Sequence, residues 1–484
     1  MQTYRPTLAS VKQHPLPAWF HEAKLGIFIH WGPYSVPGWA PRTGHLHEVI
    51  ARHGDAYWFT HNPYAEWYGQ TMQINGSPTQ QYHARTYGPQ TPYADFVRQF
   101  KAAMRAWEPA TWADLFRRAG ARYVVMVTKH HDGFLMWPSA TPNPHKPGWY
   151  AERDLVGELT AAVRLNGMRM GLYYSGGLDF TFKNVVIRDF ADMLTAIPTD
   201  PAYAAYADAH WRELIERYAP AVLWNDIGYP ASADLPALLA DYYNVAPEGV
   251  VNDRFTPINL PGVKNLPGLV RKLVRRVIRR ALTHPQSLVA RLQSGGAPYD
   301  FRTPEYVTYS TVTTQKWETT RGLGQSFGYN RNEQPEDLIS VKDLVHLLAD
   351  VVSKNGNLLL NVGPLADGTI PPAQVQRLEG LGAWLKINGE AIFATRPWRQ
   401  AAGQTNAGLP VRFTQKDHAL YAIILGKPQT PQVEIPALSL PETAGVYVLG
   451  YGAPFEWRRR GGGLALTLPR TLPDTPAVVL KIVP

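Results

Sequence analysis

Six short apolar runs punctuate the first four fifths of the chain, and they tend to end in polar residues able to do chemistry. They are Gly26 to Trp31, Tyr123 to His131, Met170 to Tyr174, Ala221 to Asp226, Gly249 to Arg254 and Asn357 to Val362. Runs this uniformly apolar are strands buried on both faces, which a sheet allows only when helices cover both its sides. Helix-like stretches do lie between them. One surrounds Trp112 to Arg118 and stops at Gly120. A second, Leu155 to Leu165, has Asp154 placed to cap its start and Asn166-Gly167 at its end. The count and spacing predict an α/β fold, a (β/α)8-like barrel of the TIM type over residues 1–396. Past about Arg396 the pattern shortens to alternating segments separated by Gly and Pro, such as Val411 to Phe413, Leu420 to Leu425, Val446 to Leu449, Leu464 to Leu468 and Val478 to Val483. That spacing predicts an all-β sandwich over 397–484. A chain of 484 residues exceeds one ordinary core, so two units are expected.

Composition narrows the function. The chain has no cysteine, which removes disulfides, thiol nucleophiles and thiolate metal sites. The stretch Met1 to Phe20 has no apolar signal-like region, and no apolar run is long enough to be a transmembrane segment, so a cytoplasmic location is expected. The net charge of +9 is uneven: Lys264, Arg271, Lys272, Arg275, Arg276, Arg279, Arg280 and Arg291 supply eight of it, with no acid between Thr256 and Pro298. A near-neutral protein with one basic insert is no nucleic-acid binder. The insert reads as a helix with Leu269, Val270, Leu273, Val274, Val277, Ile278 and Leu282 along one stripe and basic pairs along the other. A lid or packing helix is the simplest role; a dimer contact, making a homo-oligomer, and attachment to an anionic surface are the alternatives.

In parallel barrels the reactive residues stand at the carboxyl ends of the strands. His30, His130, His131, Tyr173, Asp226 and Arg254 fall there. Asp226 is the clearest candidate for a nucleophilic carboxylate, although an arbitrary Asp at a strand end is more often a cap or half of an ion pair. The histidines raise the question of a metal. Adjacent residues on an extended strand point to opposite faces, so His130 and His131 reach one point only if the strand has already turned, and no His-x-His or His-Glu-x-x-His pattern is near. No metal site is expected, and hydrogen-bond donation to sugar hydroxyls suits these histidines better.

The runs Trp19 to Gly32, Lys129 to Phe134, Gly171 to Ser175, Leu223 to Asp226, Ser326 to Asn330 and Ser353 to Pro364 resemble, in order, those of the α-L-fucosidases of glycoside hydrolase family 29. The resemblance implies a catalytic barrel followed by a β-sandwich, no cofactor, and a fucosylated oligosaccharide or glycoconjugate as substrate. It implies Asp226 as nucleophile and Glu305, in Thr303-Pro304-Glu305-Tyr306, as acid/base. His30, Glu66, Trp67, His130, His131, Tyr173, Trp224, Arg254 and Phe327 would line the fucose pocket. Arg254 would hold Asp226 ionised. Fucose lacks a 6-hydroxyl, so its site needs polar groups for three ring hydroxyls and an apolar wall for the methyl. Asp300 and Glu318 are rival carboxylates for the acid/base, because the basic insert interrupts the chain just before Glu305. A catalytically idle fucose-binding protein and an α-L-galactosidase-like enzyme remain alternatives to a retaining exo-fucosidase.

Overall fold

In the computed structural model, residues 3–257, 297–436, 438–469 and 472–484 are described, together with Val270, Leu273 and Arg276. Seven parallel strands form the first sheet: β1 (Leu25–Ile29), β2 (Tyr123–Lys129), β3 (Arg169–Ser175), β4 (Val222–Asp226), β5 (Val250–Val251), β6 (Trp317–Gly322) and β7 (Gly356–Val362). Their order is β5-β4-β3-β2-β1-β7-β6. β6 was not among the expected strands, because its sequence Trp-Glu-Thr-Thr-Arg-Gly is largely polar. It is nonetheless buried, Glu318 accepting from Tyr123 OH inside the barrel and Thr319 Oγ1 donating to Val307 O.

An eighth, irregular segment joins the two edges. Asp300 N donates to Val251 O at 2.9 Å on one side, while Arg302 N donates to Lys316 O at 3.1 Å and Glu318 N to Arg302 O at 2.7 Å on the other. Single parallel bridges pair Asn252 with Phe301, Arg302 with Trp317 and Glu305 with Thr320. The proline at 304 prevents regular donation here. The sheet therefore closes as a (β/α)8-like barrel whose last stave is a strand in connectivity only.

Successive residues of each stave serve two cores, as the period of two requires. Phe28, Tyr123, Val125, Val127, Tyr173, Val222, Trp224, Phe301 and Leu359 fill the barrel interior. Their neighbours, including Ile27, Ile29, Val124, Met126, Leu172, Leu223, Leu358 and Leu360, pack outward under the helices. The helix Pro109–Arg118 and the Asp154-capped helix Leu155–Leu165 lie where expected, the cap made by Asp154 Oδ1 accepting from Gly157 N at 2.9 Å.

The chain then forms a six-stranded antiparallel sheet of β8 (Arg396–Gln404), β9 (Pro410–Lys416), β10 (Ala419–Ile424), β12 (Gly445–Val448), β13 (Pro454–Phe455) and β16 (Val478–Val483). It faces a three-stranded one of β11 (Gln432–Ile435), β14 (Trp457–Arg460) and β15 (Gly463–Thr467). Alternation ties this sandwich to the barrel: Ala422 and Ile424 of β10 enter the sandwich core, whereas Tyr421 and Ile423 join the core of the barrel helices. Most of the basic insert lies outside the described residues. The three described positions within it are helical and exposed. Among the described residues no helix is long and apolar enough to cross a membrane.

Candidate active site

At the carboxyl ends of the staves lies a cavity of about 690 Å³ including its mouth, of a size for one sugar ring. Its walls include His30, Glu66, Trp67, His130, His131, Tyr173, Trp224, Asp226, Arg254, Glu305 and Phe327, every site residue named from the sequence.

Asp226 is the last residue of β4, and its position is fixed by the residue that follows. Ile227 has φ of 57°, the left-handed region that β-branched residues avoid. That turn folds Ile227 N back onto Asp226 Oδ1 at 3.0 Å. Gly177 permits it, since a Cβ there would stand 1.8 Å from Ile227 O. Strain of this kind, of order 1–3 kcal/mol, persists where surrounding structure over-determines it. Arg254 Nη1 donates to Asp226 Oδ1 at 2.8 Å and Tyr173 OH to Oδ2 at 2.9 Å. Burial pushes the carboxyl of Asp226 upward, but Arg254, His131 and the Tyr173 hydroxyl together hold it below the ordinary aspartate value.

Arg254 sits on a short 3-10 turn, Asp253–Phe255, rather than on the strand expected to carry it; β5 ends after two residues. The Asn252 side chain there bonds the backbone of Asn225 on the neighbouring stave. The guanidinium is held from three sides: Nε donates to Thr303 Oγ1 and Nη2 to Thr303 O, both at 3.1 Å, and the plane lies 4.7 Å from the Trp224 ring. Its Nη2 also reaches Glu305 Oε2 at 3.4 Å. Glu305 Oε1 accepts from Tyr64 OH at 2.7 Å. Of the rivals, Asp300 bonds Val251 N, Tyr243 OH and His14, away from the cavity lining. Glu318 is fully buried beneath the pocket, accepting from Tyr123 OH and Trp224 Nε1 at 2.5 and 3.0 Å.

The histidine pair reaches one site because β2 ends at Lys129 and the chain turns at once; the two rings lie 4.0 Å apart. Their tautomers follow from the network. Ser175 Oγ donates to Leu178 O at 2.7 Å, so at 2.6 Å from His131 Nδ1 it must accept, which puts the imidazole proton on Nδ1. Asn361 Nδ2 donates to Phe327 O, so its Oδ1 accepts from His30 Nδ1 at 2.7 Å. Burial lowers both histidines, His30 to about 3 and His131 to about 4, so both are neutral. Each therefore offers Nε2 as an acceptor, which corrects the expectation that these two donate to sugar hydroxyls. Glu66 takes the opposite role. Burial raises it to about 8 despite the bond it accepts from Gly328 N at 2.7 Å, so near neutral pH it carries a proton to donate.

Tyr64, Ser175, Asn361 and Thr303 escaped the sequence reading. Asn361 and Ser175 lie inside the quoted runs, but their role is visible only once the histidines they hold are in place. Leu46, Trp58, Phe59, Phe190 and Met193, from the helices Leu46–His53, Asp55–Thr60 and Phe190–Ala196, add to the wall together with Ile227 just after β4, and nothing local in the sequence marks them.

A parallel barrel holding two carboxylates and an array of sugar-sized aromatic and polar groups at its carboxyl pole belongs to the class of glycoside hydrolases. The family model described as alpha-L-fucosidase matches residues 1–390, and that of the alpha-L-fucosidase C-terminal domain matches residues 405–483. The chain is 32% identical to the tissue alpha-L-fucosidase of Rattus norvegicus over 481 residues, 98% of this chain and 90% of that one. With the Homo sapiens tissue alpha-L-fucosidase it shares 32% identity, covering 97% and 89% of the two chains. The Thermotoga maritima alpha-fucosidase solved with a mechanism-based inhibitor superposes with a TM-score of 0.84 at 41% identity, covering 99% of this chain and all of that one. The same enzyme solved with fucose gives a TM-score of 0.83. The chain belongs to the α-L-fucosidase family, glycoside hydrolase family 29.

Proposed function

We propose that the enzyme is a retaining exo-α-L-fucosidase that releases terminal fucose from oligosaccharides or glycoconjugates through a covalent fucosyl ester on Asp226. The observation that carries this reading is the sharing of one guanidinium: adjacent nitrogens of Arg254 hold Asp226 and Glu305. A common fork keeps the two carboxylates close, favouring the separation of about 5–5.5 Å used in retention over the about 6.5–9.5 Å that leaves room for water in inversion.

In the first step Asp226 attacks C1 while Glu305 protonates the departing glycosidic oxygen. In the second, Glu305 takes a proton from water, which cleaves the ester and restores the α configuration. His30 and His131 accept from, and Glu66 donates to, the ring hydroxyls. The aromatic wall of Phe28, Tyr173, Trp224 and Phe327 leaves the sugar's C5 substituent among apolar groups, which suits a methyl better than a hydroxymethyl. That favours fucosides over α-L-galactosides. The idle binding protein has no support in a site where both carboxylates converge. Following the anomer of the first-formed sugar by NMR tests the reading: α-L-fucose is expected, and β-L-fucose would exclude double displacement.

A further inference from the structure

The opposite, amino-terminal pole of the barrel carries buried charge that catalysis does not use. Lys24 immediately precedes β1 and Lys316 immediately precedes β6. Leu25 pairs with Leu358 and Trp317 with Gly356, so the two lysines flank the start of β7. Two strand spacings, about 10 Å, separate their backbones, a gap two lysine side chains can close. Both are almost wholly buried, at 0% and 2% exposure. Neither ammonium has a hydrogen-bond partner, nor has the buried Nδ1 of His21 on the preceding helix Ala18–Ala23. Arg396, the first residue of β8, stands beside them as a partly exposed guanidinium, and His21 senses Lys316, Arg396 and Lys24 alike.

The acids nearby do not balance them. Glu22 lies 3.9 Å from Arg396 and is about half exposed, with side-chain exposure of 49%. Glu318 is committed to Tyr123 and Trp224. The cluster is also rigidly placed: Lys24 has φ of 60°, and its carbonyl accepts from Leu358 N at 2.8 Å. Neighbouring buried ammonium groups without acceptors are among the least favourable arrangements a core can hold, unless something neutralises them.

We propose that Lys24, Lys316 and Arg396, with His21 beside them, form a binding site for one small inorganic anion of the halide type. Two buried, unpartnered ammonium groups with a guanidinium at their rim supply donors and no acceptor. The near-complete burial of the lysines favours a monatomic anion over phosphate or a carboxylate, which would need a wider space. Burial, then Arg396, lowers Lys24 to about 7, and a bound anion would return the proton that this environment withdraws. The site lies at the other end of the barrel from the pocket, so its first effect is on stability.

Crystals of the enzyme grown in sodium bromide test the site directly: an anomalous peak within hydrogen-bond reach of Lys24 Nζ and Lys316 Nζ is expected. In solution near pH 7, exchanging gluconate for chloride at about 0.1 M and constant ionic strength should raise Tm by roughly 3 °C. Lys316→Met, which keeps the stem and removes the charge, should abolish that difference. Should the variant not fold, the bromide map and the anion dependence of the unmodified enzyme decide. Water alone between the lysines, or equal Tm in both salts, overturns the proposal; a bromide peak without any chloride-dependent Tm marks an adventitious ion only and overturns it too.

Discussion

Asp226 and Glu305 share the fork of one arginine, yet the chain builds their supports differently. Asp226 ends a regular strand whose five residues are all buried and in register with β3, from Gly171 opposite Val222 to Ser175 opposite Asp226. Glu305 rides on the irregular stave, held by single bridges and by side chains from elsewhere: Arg254, Tyr64 and, through its carbonyl, His47. The difference suits the proposed roles. A nucleophile must be held against one carbon, while an acid/base must serve a leaving group in one step and water in the next. Precision comes from the sheet and adaptability from the loop.

The largest effect should come from breaking the rigid side. Asp226→Gly should lower kcat/KM on an aryl fucoside by at least about a thousandfold. The protein should stay folded, and external azide should give only product of inverted configuration. On the irregular side, Glu305→Ala should cost about a hundredfold or more on natural fucosides. It should cost far less on an aryl fucoside with a good leaving group, which needs no protonation to depart. A uniform loss on both substrates would break the contrast.

The support of each half can be tested in turn. Gly177→Ala drives a methyl into Ile227 O and should destabilise by about 3 kcal/mol in denaturant titration, with activity lost alongside. Tyr64→Phe removes one hydrogen bond to Glu305, worth about 1.5 kcal/mol, so kcat/KM should fall roughly tenfold with Tm nearly unchanged. The last effect is a slope. Because the folded Glu66 keeps its proton up to about 8 while the unfolded one loses it near 4.5, stability attributable to this group declines between those pH values. Glu66→Gln should flatten that part of the stability profile.

The same contrast explains what the sequence made legible. β4 announced Asp226 because a run buried on both faces ending in a carboxylate is a local pattern. The stave bearing Glu305 has no such pattern: Phe301-Arg302-Thr303-Pro304 alternates too briefly, and a proline interrupts it, so only the likeness of Thr-Pro-Glu-Tyr to a known family singled out the residue. β6 went unread because its polar residues are satisfied by distant partners. The direction of the histidine hydrogen bonds was misread for the same reason, since it depends on Ser175 and Asn361, each bonded to a third group.

The central claim, a covalent fucosyl ester on Asp226, is tested most directly by trapping. Incubation with a slow-turnover 2-deoxy-2-fluoro-fucosyl donor, followed by peptide mass spectrometry, should show one added fluorofucosyl group on the peptide that contains Asp226. An adduct on any other carboxylate, or inactivation-free turnover to a product of inverted configuration, would contradict it.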